Sequence, residues 1–533
     1  MKGRTCFLAR RYQRAIRPQS LTVSRCEIVA SLSLAADIGM GQPTGQSLRT
    51  CLLALGVARE MGLGEPDLQD IFYLSLLRFV GCNAHAEHDA AVTGGNEMAF
   101  RRGMATVISG EPAELASHIV RNLGAGLPAT TRVRLVAGAF AAGSKDARQT
   151  IAASCEVAQL IASRLGLGAS LVRALGYSGE FWNGKGLPNG ASAEAIPLSS
   201  RIVNVARDVD VLSKVGGRQL AEDVLRKRRG RAYDPTVVDA FTQHAWSIRE
   251  GIEEGSLWDQ VIEADPGVSI PLAGDRLTAA LKCYADLADI KCRFTRAHSP
   301  AVSDIARRAA TNLGLDPEAA AAIGAAGLVQ EIGKTGIPNG ILDSAQALTP
   351  GQRESIRLST YLTHTTLARC HGLDAISALA CAHHERLDGS GYHRGVTGDQ
   401  IPAGARILAA ADALKAMTSD RPWRPRFAPD EAARRLGAEV KSGKLGHDAV
   451  DAVLAAAGHA AQTPRQAWPA GLSDREVDVL KLISLGGTNR EVAEKLFISP
   501  KTVGRHVENI YGKIGVTTRP AATLFAMQHH LLS

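Results

Sequence analysis

Near the end of the chain, Lys501, Thr502, Arg505, His506 and Asn509 fall on one face of a helical stretch. Val503, Val507, Ile510 and Ile514 recur at core spacing on the other face. Cationic side chains in such a row can neutralise phosphates, and its polar side chains can hydrogen-bond base edges. A second constellation is the adjacent pair His383-His384, standing before the glycines Gly389 and Gly391. Neutral imidazoles are good ligands for a divalent metal. Adjacent histidines at a helix end can equally be capping or core residues with satisfied hydrogen bonds. His85, His88 and Asp89 form a weaker third set and read as a polar loop after a glycine break.

The elements that hold the first row are legible. Ser473 with Glu476 three residues on is a capping box that opens a helix, and Val479, Leu480 and Ile483 are its buried stripe. Gly486-Gly487 ends it, and Thr488 with Glu491 opens the next helix. Ser499 caps a third helix with Pro500 at its first position, and 518–531 reads as a fourth, with Ala521, Leu524 and Phe525 inward. Two short helices joined by a tight turn fit the helix-turn-helix design. The string LSDREVDVLKLISLGGTNREVAEKLFISPKTVGRHVENIYGKIGV, starting at Leu472, strongly resembles the LuxR/GerE family without a gap. That resemblance implies a transcription regulator whose third helix enters the major groove of double-stranded DNA. Lys501, Thr502, Arg505 and His506 would contact bases or phosphates, and Lys513 and Asn489 would lie nearer the backbone. The fourth helix would pair subunits into a homodimer.

The preceding part of the chain repeats itself. Glu180, Gly184, Gly186, Gly190, Ile196, Pro197, Arg201 and Ile202 match Glu385, Gly389, Gly391, Gly395, Ile401, Pro402, Arg406 and Ile407 at a constant offset of 205. Upstream, Gly62-Leu63 pairs with Gly314-Leu315, and Leu76 and Gly81 with Leu328 and Gly333, at an offset of 252. The unequal offsets put extra residues in the first copy, near 83–130.

In the second copy, HHERLDGSGY at His383, with Gly333-Lys334-Thr335-Gly336-Ile337-Pro338 before it, resembles the HD-GYP family. The resemblance implies a helical domain in which His and Asp side chains hold two or three metal ions (manganese, iron or magnesium) that activate water against cyclic di-GMP. His298, His383, His384 and Asp412 stand at positions matching family ligands. The name-giving His-Asp pair is replaced by Gln330 and Glu331, the next ligand histidine by Ser359, and the proline of GYP by His393. A glutamine amide is a poor ligand for such cations. The expected metal set is therefore His298, Glu331, His383, His384 and Asp412, with His364 as a further substitute, and no residue is assigned a catalytic role. The first copy has Gln46, Arg78-Phe79, Ser178-Gly179 and Arg207 at the corresponding places and no metal ligands. It reads as a scaffold, a dimerisation surface or a ligand sensor.

Length and composition agree with several domains rather than one core: 533 residues, 45% hydrophobic, with alanine favouring helix. A net charge of +8 tolerates a polyanionic partner but is too mild to demand one. None of the nine cysteines forms a C-x-x-C pair, which argues against a zinc knuckle or a disulfide framework and for reduced thiols in the cytoplasm. No run of 18 apolar residues predicts a membrane helix. The expected fold is mainly α: a disordered basic tail or over-extended start at 1–26, two tandem all-helical HD-type domains at 27–262 and 270–460, and a four-helix helix-turn-helix domain at 471–533. The expected function is a DNA-binding regulator with HD-GYP-like sensor or dimerisation modules, taking a cyclic dinucleotide or another small ligand. The alternative is a metal-dependent phosphodiesterase that also binds DNA.

Overall fold

Ser24 caps the first described helix: its hydroxyl accepts from the helix's first turn and Glu27 reciprocates, a capping box that opens α1 at Arg25–Gly39. The computed structural model describes residues 21–107, 112–458 and 468–532. The basic tail expected through 26 thus falls outside the described residues up to 20, while Val23–Cys26 are already strand and helix. The structure is 69% helical. Its only sheet among the described residues pairs β1, Val23–Ser24, with β2, Pro271–Leu272.

The described residues group into two compact units. One is Ser24–Pro271 with Pro338–Gly340, and the other holds Leu272–Ile337 and Ile341–Ser533. The first unit continues from α1 with α2 (Gln46–Glu60), α3 (Glu65–Leu77), α4 (Ala86–Thr93), α5 (Glu97–Met104), α6 (Pro112–Asn122) and α7 (Ala129–Arg164). It ends with α8 (Ala169–Leu175), α9 (Leu198–Arg228), α10 (Pro235–Ile252) and α11 (Leu257–Glu263). His88 and Asp89 lie on α4 rather than in a loop, and Asp89 pairs with Arg101 at 2.5 Å.

The second unit holds α12 (Gly274–Asp289), α13 (His298–Asn312) and α14 (Pro317–Val329), and the single turn α15 (Asn339–Leu342) is divided between the units at Ile341. Then follow α16 (Pro350–Arg357), α17 (Ser359–Leu367), α18 (Asp374–Cys381), α19 (Ala403–Met417), α20 (Pro429–Lys441) and α21 (His447–Gly458). Both sequence offsets reappear as equivalent structure. Helices α2 and α13 share one offset, and so do α3 and α14. Buried Asp37 accepts from the Ser47 amide and hydroxyl, as buried Asp289 does from Ser299. A Cβ on Gly81 would lie 1.8 Å from the Ser154 carbonyl, and one on Gly333 1.9 Å from the Ser359 carbonyl, so only glycine admits that crossing in either copy. The first copy's extra residues form α4 to α6 and the start of α7.

The tail folds as α22 (Asp474–Ser484), α23 (Asn489–Leu496), α24 (Pro500–Ile514) and α25 (Arg519–Gln528). Ser473, Thr488, Ser499 and Thr518 cap these four helices as N-cap residues, each satisfying an amide that has no partner inside its helix. Val477, Leu480, Val492, Val503, Ile510 and Leu524 close the small core. Of the stretch between the expected second HD-type domain and the tail, residues up to 467 lie outside the described ones. The tail clusters with the second HD-like copy in one unit instead of standing apart.

Candidate functional site

Four elements converge on one polar cluster in the second unit. Helix α13 opens with His298, α14 ends just before Gln330 and Glu331, α18 runs into His383 and His384, and α19 carries Asp412. The short crossing at Gly333 brings the Glu331 turn against α17. All five expected ligands come together, and His298, Glu331, His383 and Asp412 are almost wholly buried. Glu331, His383 and His384 offer atoms within 4.8 Å of one another, and so do His298, Glu331 and Asp412. Glu331 is common to both groups.

The hydrogen bonds define what each ligand can do. The His383 Nδ1 lies 2.6 Å from the Ala380 carbonyl, so Nδ1–H donates there and Nε2 keeps its lone pair facing Glu331 Oε1 at 3.7 Å. His298 Nε2 meets Asp412 Oδ1 at 2.8 Å, and Gln330 donates to the same oxygen at 3.3 Å. His384 stacks between His383 and Tyr392, with ring centroids 3.9 and 4.7 Å away. Lys334 Nζ binds Glu331 Oε2 at 2.6 Å, leaving Oε1 without a partner. His383 Nε2, His384 Nε2, His298 Nδ1 and Gln330 Oε1 are likewise buried and unpartnered. Burial holds His298 and His384 below the usual imidazole range, keeping both neutral and available as ligands. Burial also opposes ionisation of Glu331 and Asp412, but the Lys334 ammonium beside Glu331 and the hydrogen bond from His298 to Asp412 outweigh it and hold both carboxyls below their usual range. The cluster thus offers anionic oxygens, neutral nitrogens and several unsatisfied lone pairs, a donor set that fits a divalent cation.

His364 is not in this cluster. It lines a separate cleft of about 230 Å³ with Cys381, Glu385 and Arg394. Ser359, at the place of the absent ligand histidine, is buried against Gly333.

In the tail, Lys501, Thr502, Arg505 and Asn509 are exposed along α24, and His506 is half-buried beside them. Lys513 is engaged within the domain, with Nζ 2.6 Å from Glu476 Oε2 and 3.1 Å from the Gly471 carbonyl. Asn489 accepts from Arg519 at 2.6 Å. Two features have no local signature in the residues around them. Arg296, two residues before His298, donates to the Ser484 carbonyl at the end of α22. Helix α25 packs on α12 as well as α22, burying Ala521, Ala522, Leu524, Ala526 and Met527.

Residues 142–237 and 282–448 match the HD domain family, and residues 470–526 match the bacterial regulatory proteins of the luxR family. The chain carries HD domains and a C-terminal luxR-family domain. Among its relatives is the 3'3'-cGAMP-specific phosphodiesterase 3 of Vibrio cholerae, 28% identical over 409 residues, which cover 76% of this chain and 89% of the relative. The transcriptional regulatory protein LiaR of Bacillus subtilis is 44% identical over 62 residues, 12% of this chain and 29% of LiaR. A crystal structure of a cyclic GMP-AMP-specific phosphodiesterase from V. cholerae aligns over 82% of this chain and 98% of its own, with a TM-score of 0.57 and 23% identity. The HD part therefore shares that fold. No described helix is long and apolar enough to cross a membrane.

Proposed function

We propose that the chain is a cytoplasmic transcription regulator that binds double-stranded DNA as a homodimer, and that its second HD domain senses a ligand and gates that binding. The observation that carries this reading is the exposed row Lys501, Thr502, Arg505 and Asn509 on a helix set by capped turns. Such a row supplies phosphate neutralisation and base-edge contacts together. The second HD domain would hold a divalent cation through Glu331, His383 and His384, or through His298, Glu331 and Asp412. A cation bound there supplies a Lewis acid for a phosphodiester. A cyclic dinucleotide is the favoured ligand because the V. cholerae relative is named for one.

Gating has a short path. A ligand that draws on His298 acts on the chain segment that carries Arg296 to the end of α22. Helix α25, which the LuxR resemblance assigns to subunit pairing, is packed against α12 in this state. Release of both contacts would free the pairing helix. The test is duplex binding by the full chain over a salt series, beside the double variant Lys501→Ala/Arg505→Ala. Loss of binding in the variant supports the reading, and unchanged binding removes it.

A phosphodiesterase is the second reading, favoured by one observation. Glu331 belongs to both ligand groups, so it would serve a divalent cation held in either one. Cyclic dinucleotide turnover by the manganese-loaded chain, abolished in Glu331→Gln, would establish it. Binding without turnover would leave the sensor.

A further inference from the structure

The first HD-like copy inverts the charge of this site. At the places of His298, Gln330 and Asp412 it has Gln46, Arg78 and Arg207. Arg207 pairs with Asp208, whose other oxygen accepts from the Tyr233 hydroxyl at 2.5 Å. The hydrogen bonds of the Arg78 guanidinium among the described residues go to neutral carbonyls, Ser178 at 3.2 Å and Val203 at 3.5 Å, and it lies over the Phe79 ring. Burial and the neighbouring Arg207 bring Arg78 down to about 10, so its guanidinium stays charged at neutral pH. Arg101, on the wall of the same region, is neutralised by Asp89 at 2.5 Å. Two central guanidiniums therefore share one carboxylate, which leaves a positive excess in a poorly solvated place.

Beside them is a cavity of about 90 Å³ bounded by Gln42, Gln46, Phe79, Arg101, Met104 and Arg207. Gln46 is 3% exposed, and its Nε2 is a buried donor without a partner. The Nε groups of Arg78 and Arg207 are in the same condition. The unmatched donors of Gln46 and Arg207 on the cavity wall, and the positive excess of Arg78 next to Arg207, are relieved by the same ligand. We propose that the cavity of the first copy binds a small oxyanion, a phosphate or a carboxylate, through Gln46 and Arg207. Size limits the choice, because a cavity of about 90 Å³ takes only a small group. An inorganic phosphate or a short carboxylate fits that volume, whereas a dinucleotide does not.

The test uses the full chain treated with EDTA, so that no anion is held by metal in the second copy. Inorganic phosphate and acetate are titrated separately by calorimetry at constant ionic strength. Saturable binding of one of them is expected, with a dissociation constant on the order of 1 mM or tighter, and the anion that binds identifies the head group. Gln46→Leu, which keeps the volume but removes the donor, should weaken it at least about tenfold, as should Arg207→Gln. Melting curves check that each variant folds, and Gln46→Leu retains the Arg207–Asp208 pair if the second variant does not. Binding of neither anion overturns the proposal. So does binding that Gln46→Leu leaves unchanged, which would place the anion elsewhere, such as on the basic face of α24.

Discussion

Replacing Arg296 by alanine should make the DNA-binding domain easier to release and so tighten duplex binding. Its guanidinium donates to the Ser484 carbonyl, the last helical residue of α22, where the helix end carries partial negative charge. A hydrogen bond from a charged donor contributes about 1.5–3 kcal/mol net, and each 1.4 kcal/mol is a factor of ten in an equilibrium constant. Loss of about 2 kcal/mol would shift the closed-to-released ratio by roughly 30-fold. Where the closed form dominates, apparent DNA affinity rises by up to that factor. Fluorescence anisotropy with a short labelled duplex reads the effect, with Arg296→Lys expected to fall between wild type and alanine. Arg296 is not among the ligands, so manganese affinity should change only through this same shift between closed and released forms. Unchanged or weaker DNA binding by Arg296→Ala would show that the contact does not restrain the reader.

Three further outcomes follow from other parts of the molecule. Glu331→Gln removes the carboxylate shared by both ligand groups and should cost at least about 100-fold in manganese affinity by equilibrium dialysis, exceeding the 10–100-fold typical of residues that only support a ligand; a change under threefold would contradict the site. Gly333→Ala places a Cβ 1.9 Å from the Ser359 carbonyl, so the backbone must move and stability should fall by about 2–4 kcal/mol in denaturant titration; a neutral substitution would mean that the crossing is looser than described. Burial pushes Glu476 up, but Lys513 and Ser473 outweigh it and bring it down to about 2 from an ordinary 4.5. A depressed carboxylate contributes stability that is complete above about pH 4.5 and is lost as pH falls toward 2. Because Lys513 is 40% exposed, screening reduces the contribution to about 1–2 kcal/mol. Amide exchange in α22 should be faster in Glu476→Gln than in wild type at pH 7, with the difference fading near pH 3 once intrinsic exchange rates are corrected. A difference that does not change with pH would refute the assignment.

The tail was the most legible part because its signals are local. Ser473 with Glu476 and Thr488 with Glu491 sit three residues apart, and both capping boxes form. The repeat was legible because glycines at constrained places cannot drift: Gly186 and Gly391 each bring their loop against the backbone of the preceding glutamate, Glu180 and Glu385. The ligand positions were those the HD-GYP resemblance implied, and the structure gathers all five expected residues. What sequence could not give was contact at long range. That Glu331 belongs to both ligand groups depends on where four helices meet. Lys513 looked like a phosphate contact from its place on α24, yet its ammonium is held by Glu476, far off in sequence. His364 looked like a substitute ligand, but α17 carries it to another cleft. His88 and Asp89 were read as loop because a glycine precedes them, whereas tertiary contact with Arg101 and Asp146 holds them in a helix.

Salt dependence of duplex binding by the full chain tests the central claim most directly. Each phosphate neutralised contributes about 0.9 to the slope of log affinity against log salt on duplex DNA. The account predicts a clear negative slope for the wild type. Lys501→Ala/Arg505→Ala should bind weakly, with a slope shallower by about two of those units. Equal affinity and equal slope in the two proteins would contradict a DNA reader built on α24.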